Sequence, residues 1–183
     1  MILILTGSVQ SGKTRFLAGI LAALDRAAEG LSGFLSPAVY EGGRLIGYDL
    51  AVLGREKSAP YLRRQGEPGW ERVGPYFFVP DALKEARRII QESRAGDLLV
   101  VDEVGPLELG GGGIWEPLEA VLKSPGRRSL LVVRASCLEP LRARLGGLPV
   151  KVFSVEEPAA RASMLFEIAR DAPMRGEPAG RAG

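Results

Sequence analysis

The chain has 183 residues, of which 46% are hydrophobic and 25% charged, as in an ordinary globular protein. Its net charge of +2 gives no reason to expect a nucleic acid or a membrane surface as a partner. Histidine is absent and Cys137 is the only cysteine, which excludes histidine bases, histidine metal ligands, disulfide frameworks and zinc–thiolate clusters.

The first elements read as a strand, a glycine-rich turn and a helix. Residues 2–5 form a continuous apolar run, typical of a strand buried on both faces of a parallel sheet. Gly30 is placed to end the helix that follows. The apolar residues at helical spacing in this helix are Phe16, Leu17, Ile20, Leu21 and Leu24.

The middle of the chain has a different texture. Residues 33–53 predict a β-hairpin around a turn at 41–43. Residues 54–75 are rich in glycine, arginine and proline, and predict a surface loop with little regular structure. A short strand is predicted at 76–79, and Asp81 is placed to cap the next helix. The core face of that helix is formed by Leu83, Ala86, Ile89 and Ile90.

The second half alternates apolar strands with helices. The predicted strands are 98–101, 130–133 and 150–155. The predicted helices are 115–122, 138–145 and a last one that has Pro158 in its first turn. The glycines at 110–113 predict a flexible loop, and residues 171–183 a disordered tail.

Strands that alternate with helices predict an α/β fold. We expect a three-layer sandwich with a mostly parallel central sheet, helices on both faces and an added β-hairpin. The apolar start lacks a basic leader, and no apolar run approaches the ~20 residues of a membrane helix. We therefore expect a single domain over residues 1–170 that works in the cytoplasm, with no membrane association.

Residues 7–14, GSVQSGKT, match the phosphate-binding pattern G-x-x-x-x-G-K-[ST] directly between a predicted strand and a predicted helix. Gly7 and Gly12 let main-chain N–H groups approach an anion at the positive end of the helix. Lys13 brings a cation to the β- and γ-phosphates, and Thr14 offers a hydroxyl to Mg²⁺ that enters with the nucleotide. The predicted nucleotide-binding residues are Gly7, Ser8, Val9, Gln10, Ser11, Gly12, Lys13, Thr14 and Arg15.

The second acidic element is LLVVDE at residues 98–103. Four apolar residues carry the strand through the core and deliver Asp102 at its carboxyl end, where it would hold Mg²⁺ through water. Glu103 faces the other way if the strand continues, and it is the best general base that a chain without histidine offers. Further charge for the transition state could come from Arg15, Arg63, Arg64, Arg72 or Arg134.

Three segments together resemble the small P-loop nucleoside-triphosphatase family of archaea, bacteria and animals. They are GFLSPAVYEGGRLIGYD at 33–49, RVGPY at 72–76 and VVDEVGPLEL at 100–109, in the family's order after its phosphate loop. The resemblance covers residues 1–169 and implies a RecA-like P-loop NTPase fold with slow hydrolysis of several nucleoside triphosphates. It further implies a nucleotide-phosphate site at 7–14, a magnesium-side acid at Asp102 and a catalytic carboxylate at Glu103.

This chain departs from the family pattern at two places. The usual Glu-Val-Arg is Ala38-Val39-Tyr40, and the usual lysine after Asp-Glu-Ile-Gly is Pro106. Two alternatives to an Mg²⁺-dependent hydrolase of nucleoside triphosphates such as ATP and GTP therefore stay open at this point. One is a nucleotide or small-molecule kinase with an arginine-bearing lid at 54–75. The other is a nucleotide-binding switch with little turnover, whose protein partner the sequence does not identify.

Overall fold

The protein is described by a computed structural model that covers residues 1–24 and 30–170. The strands are β1 Ile2–Gly7, β2 Leu31–Leu35, β3 Ala38–Glu41, β4 Arg44–Val52, β5 Ala59–Arg63, β6 Arg72–Val73, β7 Tyr76–Phe78, β8 Leu98–Val104, β9 Arg128–Arg134 and β10 Val150–Ser154. The helices are α1 Lys13–Ala23, α2 Pro80–Glu92, α3 Pro106–Leu109, α4 Trp115–Lys123, α5 Leu138–Leu145 and α6 Ala160–Arg170, with a 3₁₀ turn at Ala135–Cys137.

The centre of the sheet consists of five parallel strands in the order β10-β1-β9-β8-β2. Their side chains alternate between two cores, because successive residues of a strand point to opposite faces. Ile2 and Ile4 pack in the core that includes α2, α4 and α5. Leu3 and Leu5 pack in the core that includes α1 and α6. The predicted three-layer α/β sandwich is confirmed.

Strands β3 to β7 form an antiparallel extension of this sheet. β4 pairs with β2, and β5, β7 and β6 follow outwards, while β3 pairs with β4. The predicted hairpin is the β3–β4 pair, whose two-residue loop consists of Gly42 and Gly43. Both have positive φ, +54° and +76°, as a tight hairpin loop of twisted strands requires.

The prediction that residues 54–75 form a loop with little regular structure is wrong. This segment contains β5 and β6, and β5 pairs with both β4 and β7. The sequence of β5, APYLR, has a proline and no regular alternation. Its pairing depends on contacts with strands distant in sequence, which a local pattern does not contain.

Three predicted helix ends are also wrong. α1 ends at Ala23 with Leu24 as its C-cap, so Gly30 does not terminate it. Val79 is the N-cap of α2 because Pro80 takes the first helical position, which moves Asp81 into the first turn. Pro158 lies in the turn before α6, which begins at Ala160.

The 3₁₀ turn at Ala135–Cys137 connects β9 to α5. Cys137 is buried in this turn, with 3% of its surface exposed.

None of the helices within 1–24 and 30–170 has the length and apolar character that a bilayer crossing requires. The tail predicted at 171–183 lies outside the described residues.

Candidate functional site

The predicted site residues meet at one edge of the sheet, where the carboxyl ends of the parallel strands lie. The phosphate-binding pattern follows β1, and Asp102 and Glu103 lie at the end of β8. β9 lies between these two strands and ends at Arg134. Ligands of open α/β sheets bind at this edge, so the strand order alone brings the phosphate loop and the acids to the same side of the molecule.

The phosphate loop connects β1 to α1 and depends on two glycines. Gly12 is the N-cap of α1 and has a φ of +83°, a left-handed conformation that costs little without a side chain. Gly7 is packed so closely that a Cβ atom there would lie 2.5 Å from Val155 Cγ2. Gln10 has a φ of +62°, unusual for a residue with a side chain.

The Lys13 side chain is folded back along this loop. It is 6% exposed, and its ammonium donates to the carbonyl oxygens of Ser8, at 2.8 Å, and Gly7, at 3.2 Å. Val9 is 74% exposed, and the Arg15 side chain is exposed on the first turn of α1. The cation therefore lies within the ring of loop residues, and the loop tip faces solvent.

Asp102 is the buried acid of the site, with 2% of its surface exposed. Burial raises the pKa of this carboxyl to about 6, although hydrogen bonds from the Thr14 side chain and the Ser36 N–H lower it. The Ser36 N–H donates to Oδ2 at 3.1 Å, and the Ser36 hydroxyl donates to the Asp102 carbonyl oxygen. A charge in this position is poorly solvated, so a cation beside it would be strongly stabilised.

Thr14 and Asp102 form an oxygen-donor pair that suits Mg²⁺. Both groups are hard oxygen ligands, and the Thr14 side chain already interacts with the carboxylate. Among the described residues there is no group of three or more acids or cysteines that would hold a metal without help. The pair fits an ion whose coordination is completed by nucleotide oxygens and water, which is how Mg²⁺ is usually bound.

Glu103 lies at an irregularity of β8. The register with β9 shifts between Asp102 and Val104, which leaves Glu103 out of the regular ladder. Its side chain is 29% exposed, and its Oε1 accepts a hydrogen bond from Arg134 Nε at 2.5 Å. The two neighbouring acids thus have different surroundings: Asp102 is enclosed, whereas Glu103 can reach water.

Three of the other arginines considered from the sequence have partners in the antiparallel extension. Arg63 bonds Asp49 at 2.6 Å, Arg64 lies over the Tyr76 ring and Arg72 lies over the Phe77 ring. These contacts hold all three side chains against paired strands rather than on a lid. Arg134 is the arginine of the described residues that contacts Glu103.

Two contributors to the site were missed by sequence reasoning. Ser36 follows β2, which pairs with β8, and so reaches Asp102. Glu156 follows β10 and accepts from the Ser8 N–H and hydroxyl, both at 3.0 Å. Hydrogen bonds from Ser154 and Ser8 lower the pKa of Glu156 to about 2. Each residue follows a strand at the active edge, but this signal is readable only once the strand order is known.

The buried Glu108 holds the turn after Glu103, and Glu71 and Arg87 hold the end of the glycine segment that follows. Glu108 is 5% exposed, and its Oε2 accepts from the Gly105 N–H at 2.9 Å. The four-glycine segment ends at Gly113, whose N–H donates to Glu71 at 2.7 Å and whose carbonyl accepts from Arg87 at 2.7 Å. The predicted flexible loop is thus anchored at its carboxyl end.

The residues that depart from the family pattern lie on β3 and at the start of α3. Ala38 and Tyr40 are exposed on β3. Pro106 occupies the first position of α3, where a missing N–H leaves no hydrogen bond unmade.

Comparisons with known proteins agree with this geometry. The model of a family described as NTPase matches residues 2–169. The nucleoside-triphosphatase THEP1 of Hyperthermus butylicus is 33% identical over 144 residues, which are 78% of this chain and 76% of that protein. The corresponding protein of Saccharolobus solfataricus is 28% identical over 165 residues, covering 90% and 88%.

Two solved structures share the architecture. The solution structure of a human cancer-related nucleoside triphosphatase has a TM-score of 0.68 at 26% identity, and covers 92% of this chain and 95% of that one. The crystal structure of THEP1 from Aquifex aeolicus has a TM-score of 0.65 at 19% identity, covering 94% and 99%, which is evidence for the fold alone. With the phosphate loop, the acidic strand and a family match over nearly its whole length, the chain belongs to the NTPase family.

Proposed function

We propose that the chain is an Mg²⁺-dependent nucleoside-triphosphatase that releases the γ-phosphate slowly and tolerates several bases. The names of the relatives from Hyperthermus butylicus and Saccharolobus solfataricus support hydrolysis of nucleoside triphosphates. The sequence resemblance supports slow turnover and broad base tolerance. A cytoplasmic location is part of the same proposal.

The observation that carries the proposal is the placement of an acid pair beside a phosphate loop. Asp102 and Glu103 lie near the carboxyl end of β8, the phosphate loop follows β1, and β9 lies between these two strands at the same sheet edge. In P-loop hydrolases, phosphoryl transfer needs this combination: amides and a lysine for the phosphates, an acid for the metal and a group that positions water.

Binding would use the loop and the start of α1. The amides of residues 8–14 and the positive end of α1 attract the β- and γ-phosphates. Lys13 would exchange its carbonyl partners in the loop for phosphate oxygens, which carry more charge. Thr14 and Asp102 would hold Mg²⁺, which neutralises charge on the phosphate oxygens when it is bound.

Glu103 would serve as the group that positions the attacking water. The water oxygen bonds to the γ-phosphorus, the bond from this phosphorus to the bridging oxygen breaks, and the carboxylate accepts the proton. The partly exposed Glu103 carboxylate near the strand end can reach such a water, whereas the enclosed Asp102 cannot.

The test is phosphate release from the four common ribonucleoside triphosphates, with and without Mg²⁺, by wild type, Lys13→Ala and Glu103→Gln. We expect Lys13→Ala to weaken binding and turnover together, because it removes the main phosphate cation. Glu103→Gln should bind triphosphate at least as tightly as wild type and lose turnover by about 10²-fold or more, the usual contribution of a positioned acid–base group. Unchanged hydrolysis by Glu103→Gln would remove this residue from the mechanism.

The same assay separates the alternatives. A kinase would release no phosphate in water and would consume triphosphate only when an acceptor is added. A switch would bind triphosphate tightly with almost no turnover until a partner is supplied. The 54–75 segment gives the kinase reading little support, because its Arg63, Arg64 and Arg72 have partners within the sheet.

A further inference from the structure

Arg134 lies between the two halves of the site. Its strand, β9, has β1 on one side and β8 on the other, and the backbone of Arg134 is paired in register with Gly7, the first residue of the phosphate loop. Its guanidinium reaches across to Glu103. One residue therefore adjoins both the place where phosphates bind and the carboxylate that would position water.

The contact between Arg134 and Glu103 is short but exchangeable. The Nε–Oε1 distance of 2.5 Å places the two charged groups in direct hydrogen-bond contact. The two side chains are 41% and 29% exposed, so water and a ligand can reach the pair. Partly exposed ion pairs contribute little net free energy, and a more highly charged anion can replace the carboxylate.

The carboxylate is restrained while this contact exists. A glutamate oxygen that accepts from a guanidinium is held on the arginine side and has fewer free lone pairs for a water. A γ-phosphate beside Lys13 would carry more negative charge than a single carboxylate, and would attract the guanidinium more strongly. A diphosphate ends at the β-phosphate and lacks this attraction.

On the basis of the proposed function, we propose that Arg134 exchanges partners between Glu103 and the γ-phosphate. With a diphosphate, the guanidinium holds Glu103 in the geometry described above. With a triphosphate, the guanidinium moves to the γ-phosphate oxygens, and Glu103 becomes free to accept a hydrogen bond from the attacking water. Glu103 can therefore bind the attacking water only when the γ-phosphate is present to take over the Arg134 guanidinium.

The experiment measures the affinity of a non-hydrolysable β,γ-imido triphosphate and of the matching diphosphate, both with Mg²⁺, by titration calorimetry. The variants are Arg134→Met, Arg134→Lys, Glu103→Gln and the double variant Glu103→Gln/Arg134→Met. Arg142→Met is the matched control, because Arg142 pairs with Glu139 on the exposed face of α5. Thermal unfolding of each variant checks that it is folded.

We expect Arg134→Met to weaken triphosphate binding roughly tenfold and diphosphate binding less than about twofold, since only the γ-phosphate contact is lost. Arg134→Lys should recover part of this difference. Glu103→Gln should tighten triphosphate binding, because an amide competes less well for the guanidinium, and this gain should vanish in the double variant. Arg142→Met should resemble wild type.

Two results would overturn the exchange. Equal weakening of triphosphate and diphosphate by Arg134→Met would make Arg134 a structural residue of the loop. Unchanged binding of both would make the Glu103 contact a surface ion pair. Either result can occur while wild type hydrolyses triphosphates normally, so failure of the exchange is distinct from failure of the proposed hydrolase function, which would show as no hydrolysis by wild type.

Discussion

As the proposed Mg²⁺ ligand, Asp102 would stabilise the bound state at a cost to the stability of the free fold. Burial raises its pKa to about 6 from an ordinary value of 3.8, which means that ionisation is harder in the folded chain than in the unfolded one. The unfolded chain therefore loses its proton first as the pH rises. The contribution of this group to stability is largest below about pH 4, falls up to about pH 6, and stays low above that pH.

We predict that Asp102→Asn raises the free energy of unfolding in metal-free buffer at pH 7.5. The rise of the Asp102 pKa from 3.8 to about 6 sets an upper limit of about 3 kcal/mol, since a tenfold change in an ionisation constant corresponds to about 1.4 kcal/mol. Urea unfolding with EDTA at pH 7.5 and at pH 4 measures it, and the difference from wild type should nearly vanish at pH 4. A destabilised variant at pH 7.5 would contradict the conclusion that the charged Asp102 carboxylate costs stability when no cation lies beside it.

The sequence predicts the individual chemistry-bearing residues better than their partners. Lys13, Thr14, Asp102 and Glu103 come from local patterns, because a phosphate loop and an apolar strand ending in acids are short-range signals. Ser36 bonds Asp102 across 66 residues of chain. Such a pair depends on the strand order, which no local pattern records, and the same holds for Glu156 against Ser8.

At the scale of elements, the apolar strands of the parallel core were easy to predict, because strands buried on both faces read as continuous apolar runs. The antiparallel extension was not. β5 includes Pro60 and is half exposed, so its signal is that of a loop. The four-glycine segment was also hard to predict. Glycine composition indicates freedom of the backbone, but it does not show the hydrogen bonds that join Gly113 to Glu71 and Arg87.

We predict that Gly113→Ala destabilises the protein more than Gly111→Ala does. Both glycines have positive φ, +56° and +89°, so each alanine costs about 1–2 kcal/mol for a left-handed conformation. At Gly113 a Cβ would also lie 2.5 Å from Glu108 Oε1, whereas nothing lies within 4 Å at Gly111. Because Glu108 is buried and holds the Gly105 N–H, it cannot retreat without leaving that amide unpaired.

Chemical denaturation of the two variants measures this difference, and we expect about 1–2 kcal/mol more loss for Gly113→Ala, the usual cost of an unpaired buried group. Hydrolysis should fall with it, because the disturbed turn directly follows Glu103. Equal losses for the two alanines would mean that the Glu108 contact adds nothing to the stability of this turn.

At the scale of the whole molecule, the site is built from strands distant in sequence that the parallel sheet brings to one edge. A ligand at this edge would contact elements from both halves of the chain, β1 with α1 and β8 with β9. Its binding free energy should therefore add to the stability of the complete fold rather than to one segment.

We predict that Mg²⁺ with a non-hydrolysable triphosphate raises the melting temperature of wild type. At 100 times the dissociation constant the gain is about 2.7 kcal/mol, which corresponds to roughly 5–10 °C for a domain of this size. Lys13→Ala should lose this increase at the same ligand concentration. Leu130→Ala, a core truncation far from the ligand, should melt lower but keep the increase. An equal increase for Lys13→Ala would place the ligand elsewhere.

Because Cys137 is buried, its rate of reaction with a thiol reagent measures how often the surrounding structure opens. This sole sulfhydryl lies three residues beyond Arg134, enclosed in the turn where the strand between the phosphate loop and the acids gives way to α5. A thiol reagent can modify it only when that turn opens, so the speed of labelling follows the local breathing of the neighbourhood that contains the guanidinium. No cysteine has to be engineered in or removed for such a measurement.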